Sequence, residues 1–321
     1  MLMSSPVIVQ VVASDPVQAR KAMQAAYSEI GRVVALVNEW KPGTQISRVN
    51  AGAGKEPVPV DAEVVGLLKV ARDVSERSVG RFDITVGALW GAWDFSWAEP
   101  RIPAARELER RVALIDYRKV ELDEESGTVR LGAPGMLVSL GGIAKGYAVD
   151  RASAVLREQG FPNHLVSAGG DLYAAGRKPD GPWIAGIRHP RRPETHATLE
   201  LEDEGVATSG DYERFFVRDG LRYHHILDPR TGHPARLASS STVVAKSAAL
   251  ADAFATATFV AGVEQGADLA GSISGIEALI FDPAGEHHVA TPGLESRLRR
   301  VESGPADTAF PVGKPPQPVT P

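Results

Sequence analysis

Across residues 248–259, Ala-Ala-Leu-Ala-Asp-Ala-Phe-Ala-Thr-Ala-Thr-Phe, Asp252 is the sole charge. A helix over this stretch is apolar nearly all round and is therefore expected to be buried. Asp252 has no cation on its own helix, and burying a lone carboxylate costs several kcal/mol. It must meet a distant Arg or Lys, accept hydrogen bonds, or bind a metal. Thr256, one turn on, points the same way. Two hard oxygens on one face suit Mg²⁺, which keeps several waters and completes its shell with substrate phosphates. The more ordinary origin of such a residue is a structural Asp bonded to a neighbouring loop.

Two further groups of residues could do chemistry. In Gly141-Gly142-Ile143-Ala144-Lys145-Gly146-Tyr147, a flexible turn precedes a helix, where free N–H groups and the helix dipole favour anions and Lys145 adds charge. A plain Gly-rich turn with a solvated Lys reads the same way. In Arg222-Tyr223-His224-His225-Ile226-Leu227, a strand by composition, neighbours face opposite ways, so only one His can face any given site. A His at a sheet rim is a candidate general base because its ordinary pKa lies near neutrality, although many such residues are only hydrogen-bonded surface His.

These residues need elements to hold them. Residues 7–12 are rich in β-branched side chains and predict a strand. Asp15 and Pro16 then stand as N-cap and first residue of a long helix carrying Met23, Tyr27, Ile30, Val34 and Val37 at helical spacing and ending at Trp40. The Gly-, Pro- and Asn-containing stretch 41–59 predicts a loop, and 61–78 a second helix. Strand and turn signals dominate 120–140, a helix runs from the Gly141-Gly142 turn to about residue 159, and short strands fill 165–227. One more helix covers 248–263. The Pro-rich segment 303–321 predicts a disordered tail. Helices and strands mix without strict βαβ alternation, which favours an α+β fold with a single domain over 1–302.

Composition narrows the function. A net charge of −5 without a strongly basic half argues against a nucleic-acid binder. The absence of Cys removes thiolate catalysis, iron–sulfur clusters and Cys-type zinc sites. No stretch is long and apolar enough for a membrane span, and the amino terminus does not read as a secretory signal. Gly52-Ala53-Gly54-Lys55 glances at a phosphate-binding P-loop, but Glu56 replaces the required Ser or Thr.

The order of motifs is distinctive. Phe82-Asp83-Ile84-Thr85-Val86-Gly87 comes first, then Leu140-Gly141-Gly142-Ile143-Ala144-Lys145-Gly146-Tyr147, Ala168-Gly169-Gly170-Asp171, Ala207-Thr208-Ser209-Gly210-Asp211-Tyr212, His225-Ile226-Leu227-Asp228-Pro229 and Ala251-Asp252-Ala253-Phe254-Ala255-Thr256. This series closely resembles the ApbE family of FAD:protein FMN transferases. The resemblance implies an ApbE-like, T-fold-like α+β enzyme that binds FAD and Mg²⁺. Such an enzyme moves the FMN half onto a Thr or Ser hydroxyl of a target flavoprotein, with AMP leaving. It further implies that Asp252, Thr256 and the carbonyl of Gly142 hold Mg²⁺ and that Lys145 serves the FAD phosphates. Met3, Trp40, Phe82, Asp83, Ser139 and Ile226 would line the FAD site, and His225 would take the acceptor proton. Ser139 departs from the family's usual Asp. The rival expectations are an FAD pyrophosphatase, in which water replaces the acceptor, and a non-catalytic FAD-binding protein. As the sequence stands, a cytoplasmic location is expected; a periplasmic or envelope location is the alternative if the chain is a mature or truncated form.

Overall fold

The computed structural model describes residues 6–95 and 100–300, together with the backbone of 310–312. Helix α1 (Pro16–Val37) starts where Asp15 accepts hydrogen bonds from the amides of Val17 and Gln18, with Pro16 in the first turn. Its deepest line runs Ala19, Ala22, Ala26, Ile30, Val33 and Val37, while Met23, Tyr27 and Val34 flank it half-buried. The small residues permit close approach to a later helix. Within the expected loop 41–59 the chain instead forms α2 (Gln45–Ala51). Thr44 caps it and Ile46 and Val49 bury their side chains, so two apolar anchors outweigh the flanking Gly and Pro. Helices α3 (Ala62–Arg77), α4 (Ala105–Val112), α5 (Ala144–Glu158), α6 (Ala248–Ala261), α7 (Val263–Gly271) and α8 (Pro292–Glu295) follow.

The main sheet has seven strands in the spatial order Val7–Val11, His164–Ala168, Asp171–Ala175, Glu204–Gly210, Ser240–Ala245, Ile276–Phe281 and His288–Ala290. Every neighbouring pair is antiparallel. Sequence period two places alternate residues on opposite faces. Val166, Tyr173, Ala207, Val243, Ala278 and Ile280 face the core under the helices, whereas Leu165, Leu172, Val206, Val244, Leu279 and Phe281 face a second core. Both faces are covered, which is why these strands read as almost continuous apolar runs. Helices α5 and α6 pack together on the first face and α1 packs on α5. The second core contains Trp183, Ile187, Leu199 and Leu201 from a smaller sheet, ordered Arg299–Arg300, Thr195–Leu201, Trp183–Arg188 and Phe310–Val312. The last of these lies inside the segment read from sequence as a tail; the rest of 303–321 falls outside the described residues. The architecture is α+β, as the mixed pattern predicts. Among the described residues, no helix is long and apolar enough to cross a membrane.

Candidate active site

Backbone contact between α5 and α6 brings the site together. A Cβ on Gly146 would sit 2.1 Å from the carbonyl oxygen of Ala248, so only glycine lets the two helices meet here. One turn along α5, the carboxylate of Asp150 accepts the amides of Ala248 (2.8 Å) and Ala249 (2.9 Å), satisfying free donors at the start of α6. Burial pushes the Asp150 carboxyl up to about 6, against those hydrogen bonds.

This docking fixes Asp252, which is 4% exposed. Its Oδ2 accepts the Gly146 amide at 3.2 Å and its Oδ1 lies 3.5 Å from Lys145 Nζ. The Lys145 ammonium also makes a close ion pair with Asp171. Asp171 arrives on a two-residue hairpin, Gly169-Gly170, with φ of 62° and 102°, a turn suited to glycine. Burial alone would lower the Lys145 ammonium, but the two carboxylates outweigh it and hold the group charged. Burial pushes the Asp171 carboxyl up, and the neighbouring Asp252 charge adds to the shift. Two carboxylates therefore share one ammonium.

Thr256 lies one turn further along α6, its hydroxyl 3.2 Å from that of Ser209. Gly142 closes the other side: a Cβ there would meet Phe82 at 3.1 Å and Thr256 Oγ1 at 3.3 Å. Gly142, Thr256, Asp252 and Lys145 are thus neighbours, with the buried Phe82 against the Gly142 turn. Apart from the Lys145 ammonium, the groups here are hard oxygens, a set that fits Mg²⁺. Among the described residues no three His, Asp or Glu converge as a metal cage, so an ion here would draw on hydroxyl, carbonyl, water and substrate oxygens.

The two adjacent imidazoles separate as the strand alternation requires. His224 is buried: Nε2 donates to the Ala235 carbonyl at 2.6 Å and Nδ1 accepts the Ile226 amide. Burial brings it down to about 4. His225 keeps partial exposure. Its backbone amide and its Nδ1 both lie against the Arg214 carbonyl, at 3.1 and 3.4 Å. Burial, then the charges of His224 and Arg214, and also Lys145, hold its imidazole below the ordinary range. Nδ1–H turned toward a carbonyl leaves the Nε2 lone pair free at neutral pH.

The remaining residues implied by the resemblance are dispersed in role. Asp83 is buried and spends both oxygens inside the protein: Oδ1 accepts the Thr85 amide and hydroxyl, and Oδ2 the Tyr117 amide. Ile226 is buried behind His225, its carbonyl accepting the Ala235 amide. Ser139 donates to Glu39 Oε1 at 2.8 Å and lies beside the Gly141 amide. Trp40 is 64% exposed with its ring edge-on to Trp90, centroids 4.8 Å apart. Met3 lies outside the described residues. Sequence reasoning gave no role to Asp171, Ser209 or Glu39. The first two sit in the Gly-Gly-Asp and Thr-Ser-Gly motifs, which were the available signal, whereas nothing in the sequence marks Glu39. A cavity of about 610 Å³ opens elsewhere, lined by Val11, Met23, Lys178 and Trp183, and gathers none of these groups.

Comparison with known proteins identifies the family. An FAD:protein FMN transferase of Klebsiella pneumoniae is 31% identical over 314 residues, covering 97% of this chain and 95% of the relative. One of Treponema pallidum is 32% identical over 88% and 82%. The crystal structure of the ApbE protein of Thermotoga maritima superposes with a TM-score of 0.85 at 33% identity, covering 94% of this chain and 98% of that one. The flavin transferase ApbE of Vibrio cholerae gives 0.80 at 28%, covering 92% and 97%. With residues 3–280 matching the model of the ApbE family, the chain belongs to that family.

Proposed function

We propose that this chain is an FAD:protein FMN transferase that moves the FMN half of FAD onto a Thr or Ser hydroxyl of a target flavoprotein, using Mg²⁺ and releasing AMP. Relatives across nearly its whole length carry the transferase name. The observation that carries the reading is the buried oxygen cluster at Asp252, where two carboxylates meet one ammonium beside Thr256 and Gly142.

Asp252, Thr256 and the Gly142 carbonyl would hold the ion. Bound there, Mg²⁺ supplies charge neutralisation and in-line orientation of the pyrophosphate. Asp171 keeps the Lys145 ammonium in place, so that a positive charge stays next to the phosphates without drifting into solvent. His225 Nε2 takes the proton as the acceptor oxygen bonds to the phosphorus of the FMN half. The bond from that phosphorus to the bridging oxygen breaks, and AMP leaves with that oxygen. A base so placed contributes roughly 10²- to 10⁴-fold in rate.

The test is incubation with FAD and MgCl₂, with and without a flavoprotein domain bearing an acceptor Thr. Acceptor mass rising by one FMN together with AMP release is expected. AMP alone would make the protein a pyrophosphatase, and neither product would make it a carrier. His225→Ala should nearly abolish transfer while FAD binding stays intact; full activity in that variant reassigns the base.

A further inference from the structure

The loop after α1 is rigid for a local reason. Asn38 Oδ1 accepts the amides of Trp40 (2.9 Å) and Lys41 (3.2 Å), and the Thr44 hydroxyl donates to the Asn38 carbonyl at 2.6 Å. Such an Asx turn fixes the backbone on which Glu39 and Trp40 stand. Glu39 turns toward the Gly141-Gly142 turn, 100 residues away in sequence, where one carboxylate oxygen receives the Ser139 hydroxyl. It has no cationic partner among the described residues, and its second oxygen is unspent. Trp90, edge-on to Trp40, has its indole N–H buried without an acceptor among the described residues. A charged acceptor and an idle donor thus adjoin an exposed aromatic ring. A buried donor left idle calls for an explanation, and the polar edge of a heteroaromatic ring laid on Trp40, which carries acceptors and donors side by side, supplies one and offers the half-buried Glu39 an N–H.

We propose that Glu39 is a specificity-determining residue of this site. Its carboxylate receives an N–H from the ring stacked on Trp40, and Ser139 acts as its positioning residue. The inference rests on the reading of FAD as substrate. The N–H can come from the flavin half or the adenine half, which share this chemistry.

The experiment measures binding of FAD, FMN and AMP to the full chain without metal or acceptor, and then KM and kcat for FAD. Glu39→Gln keeps an acceptor for Ser139 and is expected to fold unchanged. The loss of a charge-assisted hydrogen bond should weaken FAD binding roughly 10-fold or more. KM should rise with kcat nearly constant, because the contact lies away from the reacting phosphorus. A loss confined to FMN assigns the contact to the flavin half, and one confined to AMP to the adenine half; either supports the proposal. Returning a carboxylate to the same space with Ser139→Asp in the Glu39→Gln background should recover most of the affinity. Unchanged binding of all three ligands, a fall in kcat without a rise in KM, or no recovery in the double variant overturns it. If the unaltered protein binds no FAD, the proposed function falls as well, which separates the two failures.

Discussion

Replacing Asp252 by Asn should separate stability from metal response. Asp252 Oδ1 lies 3.5 Å from Lys145 Nζ, an attraction of about 5 kcal/mol at an effective dielectric near 20. Two effects oppose it: the desolvation of a buried ion, itself several kcal/mol, and repulsion from Asp171 at the same ammonium. Asn removes all three effects, keeps an acceptor for the Gly146 amide, and leaves Lys145 and Asp171 as a balanced pair. The metal-free variant should therefore be within about 1 kcal/mol of the unaltered protein, or more stable. Lys145→Met strands two carboxylates in the same space and should cost about 3–5 kcal/mol.

Mg²⁺ reverses the ranking. At 100 times its dissociation constant, an ion that binds only the folded chain adds about 2.7 kcal/mol, or about 4 °C in Tm for a chain of this size. That gain should be present in the unaltered protein and lost in Asp252→Asn. Thermal melts in EDTA and across a MgCl₂ titration read both quantities. A strongly destabilised Asp252→Asn that still gains stability from Mg²⁺ would make Asp252 a structural partner of Lys145 and refute the metal assignment.

Two more outcomes follow from the geometry. The folded pKa of His224, near 4, lies below its unfolded value of about 6.5, so the unfolded chain binds more protons between these limits and stability falls as pH drops through that window. His224→Asn should make this decline shallower without flattening it, because His196 is also held near 4; urea melts from pH 4 to 7.5 would show it, and an unchanged slope would contradict the assignment. Gly146→Ala drives a methyl into the Ala248 carbonyl and should cost at least about 2 kcal/mol together with the Mg²⁺ response. Gly66→Ala, in the interior of α3 with nothing within 4 Å, should stabilise by about 0.5–1 kcal/mol; equal Tm values for these two variants would argue against backbone contact as what holds α5 to α6.

Sequence pattern reached those features whose cause is local. The caps of α1, the period-two strands and the opposite faces of His224 and His225 all follow from residues within one turn or one pleat of each other. It also showed that Asp252 needed a partner, because an apolar helix offers none. It did not reach the partner's identity. Lys145 reads from sequence as added charge at an anion-favouring helix start, and the resemblance gives it the FAD phosphates. Asp171 meets it only after a hairpin at Gly169-Gly170 and close approach of α5 to α6. Asp83 shows the opposite gap: in sequence it is an acid within a motif, and only the fold shows its oxygens bonded to Thr85 and the Tyr117 amide.

The three buried carboxylates of this region differ in how they are compensated. Asp150 is a buried carboxylate too, but both its oxygens meet amides at the start of α6, so its charge is matched by fixed dipoles and asks for no ligand. Asp171 is matched by Lys145. Asp252 has one amide and a share of an ammonium already engaged elsewhere. Of these three carboxylates it has the fewest full partners, and Thr256 follows it one turn on along α6. A dication bound there would give Asp252 a full counter-charge and tie it to the substrate.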